Sequence, residues 1–123
     1  MSFKTLMIIK AIVCLTFGVL LVFLPAWLLG LMGASLSPGG TYTAREYGAA
    51  LFGTLMLTWF ARNAVSNEAR RPILLDLFVY DAIGFVVTTL TVLSGVLNWL
   101  GWGIVAVYAF FTVGSGYLLS RKA

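Results

Sequence analysis

The chain contains no histidine and a single cysteine, and only 10% of its 123 residues are charged. Without histidine it lacks the usual ligands of catalytic zinc and haem and the usual partner of an activated serine, and one cysteine cannot support an iron–sulfur cluster or a disulfide framework. No phosphate-binding loop or paired-carboxylate arrangement is present either. We therefore predict no metal site, no resident cofactor and no enzymatic activity. Cys14 lies within an apolar run and is predicted to be a packing residue.

Apolar residues make up most of the sequence: 61% of the chain is hydrophobic, and its mean hydropathy is +1.01. A soluble domain carries about a quarter charged residues. The sequence predicts an all-α integral membrane four-helix bundle, with residues 1–123 as one unit. Because a helix needs roughly 20 apolar residues to cross a bilayer, we expect spans at about 6–24, 44–61, 73–97 and 100–119. A short interfacial helix is predicted at 25–32, where proline suits a first helical turn.

The basic residues are distributed unevenly between the two sides of this predicted fold. Arg45 falls on one side, and the remaining seven of the eight basic residues fall on the other: Lys4, Lys10, Arg62, Arg70, Arg71, Arg121 and Lys122. The positive-inside rule then predicts a multi-pass protein of the inner (plasma) membrane with both termini cytoplasmic. Because these residues flank apolar spans and form no basic face, nucleic-acid binding is not expected.

Two charged residues lie well away from the ends of predicted spans, where ionisable groups are expensive and are functional candidates by default. Asp81 lies in the third span, and Lys10 lies at a comparable depth in the first. We hypothesise that they form an ion pair, supported nearer the interface by Asp76 with Arg62. Two interpretations of Asp81 stay open: a proton or cation site, or a structural pair that fixes helix register.

Further candidates are the outer-face charges Arg45 and Glu46. An acid in the first turn of a helix is favoured by the helix dipole, which explains Glu46 without any activity. Four tryptophans are predicted interface anchors: Trp27, Trp59, Trp99 and Trp102. Small residues that permit close helix packing are Gly18, Gly48, Ala49, Gly53, Gly84, Gly103, Gly114 and Gly116.

The last predicted span carries an aromatic surface beside its small residues, formed by Tyr108, Phe110, Phe111 and Tyr117 next to 114–116. Such a surface could receive a lipid, a quinone, a carotenoid or a neighbouring helix.

The order of several short motifs resembles small four-helix bacterial membrane proteins of unknown function. These motifs are the segment from Pro25 to Gly33, then Arg45-Glu-Tyr-Gly48, which opens a span that ends in Trp59-Phe-Ala-Arg62. The resemblance covers most of the chain. It implies a bacterial inner-membrane location and no particular activity.

Three functions fit these features, and membrane lipids are expected partners in each. The first is a non-catalytic accessory or scaffold subunit that packs laterally against a larger membrane complex, because helix faces are its main recognition surface. The second is a homo-oligomeric proton- or ion-coupled transporter or channel that uses Asp81, with Glu46 at the outer mouth. The third is a binder of a lipid or another hydrophobic molecule. A transporter should place Asp81, Thr88 and Tyr47 around a common cavity, whereas a scaffold needs none.

Overall fold

Proline and serine residues set where several helices of this protein begin. The structure is a computed structural model that describes residues 1–121, so Lys122 lies outside the described residues. It contains α1 (Phe3–Phe23), α2 (Pro25–Leu31), α3 (Pro38–Ala61), α4 (Asn67–Leu93) and α5 (Gly101–Ser120). The prediction of an all-α fold is confirmed. The prediction of a four-helix bundle is wrong, because the backbone leaves the helical conformation at Leu24 and Pro25 starts a separate helix.

Two helices begin earlier than predicted because serine caps them. The Ser37 hydroxyl accepts a hydrogen bond from the Gly40 amide, so α3 starts at Pro38 within a segment rich in turn-forming residues. Likewise, the Ser66 hydroxyl accepts from the Ala69 amide, and α4 starts before Pro72. That proline forgoes one main-chain hydrogen bond inside the helix.

Three of the helices, α1, α4 and α5, are long and apolar enough to cross a membrane. This finding is consistent with a membrane location. Four spans are predicted from the sequence, and the stretch 44–61 lies in α3, which is not among these three. Arg45 and Glu46, together with several glycine and threonine residues, lower the hydropathy of that helix.

The helices pack as two pairs, with α1 along α3 and α4 along α5, and the short α2 contacts α1 and α3. Both pairs depend on glycine at a point of close approach. A Cβ atom at Gly48 would lie 2.8 Å from the Val22 side chain, and one at Gly84 would lie 2.4 Å from the Tyr108 ring. Any larger residue at either position would force the neighbouring side chain or its helix to shift.

The other predicted packing residues divide into three groups. A Cβ at Gly114 or Gly116 would lie within 3.1 to 3.3 Å of a side chain, whereas one at Gly18 would make ordinary contacts at 3.5 Å. At Gly53 and Gly103 it would meet nothing within 4 Å. Ala49 is exposed.

The two ends of the molecule differ in character. At one, called the terminus end, Ser2, Phe3, Leu118 and Arg121 line a single cavity, so the start of α1 and the end of α5 lie together. At the other, called the α2 end, the Asn98 side chain donates to the Leu31 carbonyl at 2.9 Å. The same residue's backbone amide donates to Met32 at 2.7 Å, which fastens α2 to the connection between α4 and α5.

Tightly packed apolar side chains fill the terminus half of the molecule. This apolar cluster consists of Phe3, Leu6, Met7, Leu74, Leu77 and Phe111. A second, smaller group contains Cys14, Leu21 and Leu51 and lies between α1 and α3. Between the two groups lies the pair of charged residues described next.

Candidate functional site

Lys10 on α1 and Asp81 on α4 form an ion pair in the interior of the molecule. The Lys10 Nζ donates a hydrogen bond to Asp81 Oδ1 at 2.7 Å. The lysine is 3% exposed and the aspartate 0%. Because α1 and α4 belong to different helix pairs, this contact links the two halves of the fold.

Aromatic rings shield the lysine on two sides. Its Nζ lies 4.6 Å from the centroid of the Tyr80 ring and 4.4 Å from that of Phe111. A cation over an aromatic face is attracted to the ring electrons, and this attraction is strongest where water is excluded. The rings therefore compensate part of the cost of burying the ammonium group.

Only one oxygen of the Asp81 carboxylate is hydrogen-bonded. Oδ1 accepts from Lys10, whereas Oδ2 is buried and has no hydrogen-bond partner in the structure. A buried polar atom without a partner costs roughly 1–3 kcal/mol, and more when the group is charged. A half-satisfied buried carboxylate is therefore a strong candidate for binding a donor.

Three tyrosines from three helices form a hydroxyl cluster beside this carboxylate. The Tyr47 hydroxyl on α3 lies 2.5 Å from that of Tyr80 on α4 and 2.6 Å from that of Tyr108 on α5. The Tyr80 and Tyr108 rings meet edge to face, with centroids 6.2 Å apart. Two hydrogen bonds use only two of the three hydroxyl protons, because each hydroxyl donates once. The third proton is free to be donated to another group.

The ion pair and the hydroxyl cluster surround a common cavity of about 70 Å³, called the central cavity. Its lining includes Cys14, Phe17 and Ile104. One water molecule needs about 10–15 Å³ of such space, so the cavity accepts a few waters or one small ion. It is too small for a lipid, a quinone or a carotenoid, since sites for organic ligands measure roughly 300–1,000 Å³.

The central cavity ends abruptly toward the terminus end. Leu6 and Met7 lie one helical turn before Lys10, and Leu77 lies one turn before Asp81; all three are fully buried apolar side chains. The apolar cluster thus forms the floor on which the ion pair rests. Polar lining extends only from the ion pair toward the α2 end.

The structure does not bring the predicted Asp76 and Arg62 together. The Arg62 guanidinium instead stacks 4.0 Å from the centroid of the Trp59 ring and donates to the Trp59 carbonyl. Within residues 1–121, Lys10 and Asp81 form the one ion pair. Asp76 is exposed, and a separation of five residues turns it about 140° around α4 from Asp81. It therefore faces away from the site.

The remaining predicted residues lie outside the central cavity. Arg45 and Glu46 are exposed on α3, and Thr88 is not among the cavity residues. The four tryptophans are exposed at the ends of the helices or in their connections: Trp27, Trp59, Trp99 and Trp102. These positions suit side chains at a membrane interface.

Of the four aromatic residues predicted to form a surface on α5, Phe111 is buried in the apolar cluster and Tyr108 lines the central cavity. A shallow groove of about 480 Å³ runs past the other two, between Ala106, Phe110, Val113 and Tyr117. Contact of this surface with a lipid, a quinone or a carotenoid stays a prediction.

Tyr80 was not among the residues singled out from the sequence. It precedes Asp81 directly and lies one helical turn before Gly84, where the Tyr108 ring packs. A tyrosine beside an intramembrane acid, with a glycine one turn later, is a signal that could have identified it.

No protein-family model, curated protein or solved structure matches this chain significantly. The resemblance to small bacterial membrane proteins therefore stays a prediction, and the proposals below depend on the geometry of the site.

Proposed function

We propose that this chain is a non-enzymatic, proton-coupled membrane transporter or channel in which Asp81 carries the proton. The observation that supports this proposal is the Asp81 carboxylate, which is 0% exposed and has one oxygen held by Lys10 and the other without a partner. It lines a small, mostly apolar cavity between four helices, three of which could cross a membrane. Buried ionisable groups in such positions commonly mark proton or ion pathways.

The cavity favours this function over a purely structural one. Of the residues expected around a transport cavity, Asp81 and Tyr47 line it and Thr88 does not. The polar path thus consists of the carboxylate, the lysine and the three tyrosine hydroxyls. A structural ion pair would need no cavity beside it.

The charge of Lys10 determines which cation the site accepts. A metal cation next to Asp81 would also lie next to the lysine ammonium, 2.7 Å from the carboxylate oxygen, and like charges at such distances repel strongly. A proton avoids this conflict, since it binds covalently to the carboxylate. Protonation would neutralise Asp81 and remove the attraction that holds Lys10.

The position of the pair couples protonation to movement of the helices. Lys10 and Asp81 join the α1–α3 pair to the α4–α5 pair, and the apolar cluster closes the terminus side. Loss of the ion pair would free one helix pair to shift against the other. Such relative movement of packed elements around a fixed site is a known route to alternating access.

We propose further that both termini are cytoplasmic and that the membrane is the inner (plasma) membrane. Arg70 and Arg121 line the cavity at the terminus end, with Lys4 beside them, whereas Arg45 lies on α3 toward the α2 end. Basic residues are enriched on the cytoplasmic side of membrane proteins. Lys10 does not contribute to this bias, since it is buried in the ion pair.

The proposal is tested by reconstituting the full chain in liposomes that contain a pH-sensitive dye. An imposed pH gradient should decay faster with the wild type than in empty liposomes. Asp81→Asn should return the decay to the rate of empty liposomes, and Asp76→Asn, an exposed acid on the same helix, should not. Equal decay for wild type and Asp81→Asn would overturn the proposal, as would wild-type liposomes no leakier than empty ones.

A second candidate, an accessory subunit or scaffold in a membrane complex, is favoured by a separate observation. Gly53 and Gly103 belong to the predicted packing positions, yet the space in front of each is open. Small residues of this kind let a helix from another subunit approach closely. Native mass spectrometry on protein extracted in mild detergent tests this candidate. A stoichiometric complex with other proteins supports it, and a homo-oligomer contradicts it.

A further inference from the structure

Three basic residues from three different parts of the chain meet in a cavity at the terminus end. Lys4 in α1, Arg70 in α4 and Arg121 after α5 line a space of about 230 Å³, together with Ser2 and Asn67. This basic pocket is separate from the central cavity. Its volume is far larger than the roughly 10–15 Å³ that one water requires, so it accepts a phosphate-sized group.

Arg70 is the most firmly positioned of the three. Its Nε donates to the Ala64 carbonyl at 2.6 Å, and its guanidinium carbon lies 4.8 Å from the centroid of the Phe3 ring. The side chain is half-buried. The terminal nitrogens of the guanidinium, which carry the remaining donors, are not used in these contacts. They form the planar fork that suits two oxygens of a phosphate.

Among the residues that the structure describes, no acidic group balances the positive charge of the basic pocket. No acidic side chain lines it, and within residues 1–121 none of its cations forms an ion pair. Glu68 is the nearest acid in sequence, but it is exposed, and it points about 100° away from Asn67 around α4. Three neighbouring cations with no counter-charge favour binding of an anion.

The base of the pocket is apolar, which indicates the kind of anion. Phe3, Leu74 and Leu118 line it beneath the charged groups, and all three lie on helices that are apolar enough to cross a membrane. A free phosphate ion gains nothing from such a surface. A phospholipid places its phosphate among the cations and its glycerol and acyl chains against the apolar residues.

We propose that the basic pocket binds the phosphate of an anionic phospholipid, with Arg70 as the fixed contact and Lys4 and Arg121 as mobile ones. This inference does not depend on proton transport by Asp81. It assigns a lipid of stated charge to one place on the molecule, and it predicts that retention of that lipid depends on these cations.

The test measures lipid binding to the purified full chain by native mass spectrometry and by thermal unfolding in detergent. The probes are phosphatidylglycerol, zwitterionic phosphatidylcholine and inorganic phosphate. Phosphatidylglycerol should be retained and should raise the unfolding midpoint, and the other two probes should not. Arg121→Gln should weaken phosphatidylglycerol binding about fivefold, because one cation near a membrane surface contributes about that factor.

The matched control is Arg45→Gln, which removes the same charge from the opposite part of the molecule. It should leave phosphatidylglycerol binding unchanged. Lys4→Gln combined with Arg121→Gln should weaken binding about twenty-five-fold. Both side chains are exposed, and such surface changes usually alter stability by no more than about 0.5 kcal/mol. Equal binding by this double variant and Arg45→Gln would overturn the proposal, and so would equal protection by inorganic phosphate or phosphatidylcholine.

Discussion

Lys10 and Asp81 lie 71 positions apart in the sequence, yet their side chains meet at 2.7 Å in the interior of the molecule. Lys10 belongs to the α1–α3 pair and Asp81 to the α4–α5 pair. Their contact therefore depends on how the two helix pairs pack against each other. A buried ion pair is often no more stable than apolar residues of the same size, but removal of one partner is costly. The energetic importance of this contact therefore appears when only one residue is changed.

Lys10→Met and Asp81→Leu, each made singly, should destabilise the protein by about 3–5 kcal/mol, because each leaves a buried charge without its partner. The double variant should recover most of that loss. Unfolding in detergent by titration with a denaturing surfactant measures both effects. Asp76→Asn is the control and should change stability by no more than about 0.5 kcal/mol. Single variants as stable as the wild type would show that the pair does not hold the helix pairs together.

Tyr47→Phe should destabilise the protein by roughly 1–3 kcal/mol, because it removes the hydroxyl that contacts both other tyrosines. Tyr80 and Tyr108 would lose their shared partner, at 2.5 and 2.6 Å in the wild type. The same unfolding measurement applies. Tyr42→Phe, which alters a tyrosine that is 65% exposed, serves as the matched control. If both variants unfold alike, the hydroxyl cluster contributes nothing to stability.

Several helix boundaries show how far local sequence reasoning reaches. The apolar stretches located the four long helices, and Pro25 indicated the segment that forms α2. The predicted start of α3 is later than the observed one, because Pro38, Gly39 and Gly40 are typical of a turn. In the structure they occupy a first helical turn, since Ser37 caps it and proline needs no amide partner there. The hydroxyl of one preceding residue decided between the two conformations.

The site was partly predictable for a different reason. Charge inside an apolar stretch is costly, which singled out Lys10 and Asp81 before any contact was known. The sequence also suggests Asp76 with Arg62 as support for the pair nearer the interface, but five residues along a helix turn Asp76 to another face than Asp81. Tyr80 carries a weaker signal, its position beside Asp81 and one turn before Gly84, because tyrosine is also an ordinary interface residue of membrane proteins. Its contacts with Lys10, Tyr47 and Tyr108 decide its role, and these depend on how the helices pack.

Gly84→Ala should destabilise the protein by about 1–3 kcal/mol, which is typical of overpacking. The new methyl carbon would lie 2.4 Å from the Tyr108 ring, so the ring or the helix must move. The hydroxyl contact with Tyr47 should weaken as well. Gly103→Ala is the control, because its Cβ would meet nothing within 4 Å. That change should be neutral or stabilise by up to about 1 kcal/mol through helix propensity. Equal effects of the two substitutions would contradict the packing described at Gly84.

The thiol of Cys14 reports directly on access to the central cavity. It is the chain's single cysteine and is 0% exposed, and the cavity it lines measures about 70 Å³. A maleimide is too large to enter so small a space without opening the helix pairs. We therefore expect slow labelling of the folded protein and rapid labelling after unfolding. Mass spectrometry measures the extent of labelling in both cases. The control is Cys14→Ala combined with Val65→Cys, at a position that is 81% exposed, which should label rapidly when folded. Equal rates for the folded wild type and this control would show that the two helix pairs separate readily in solution.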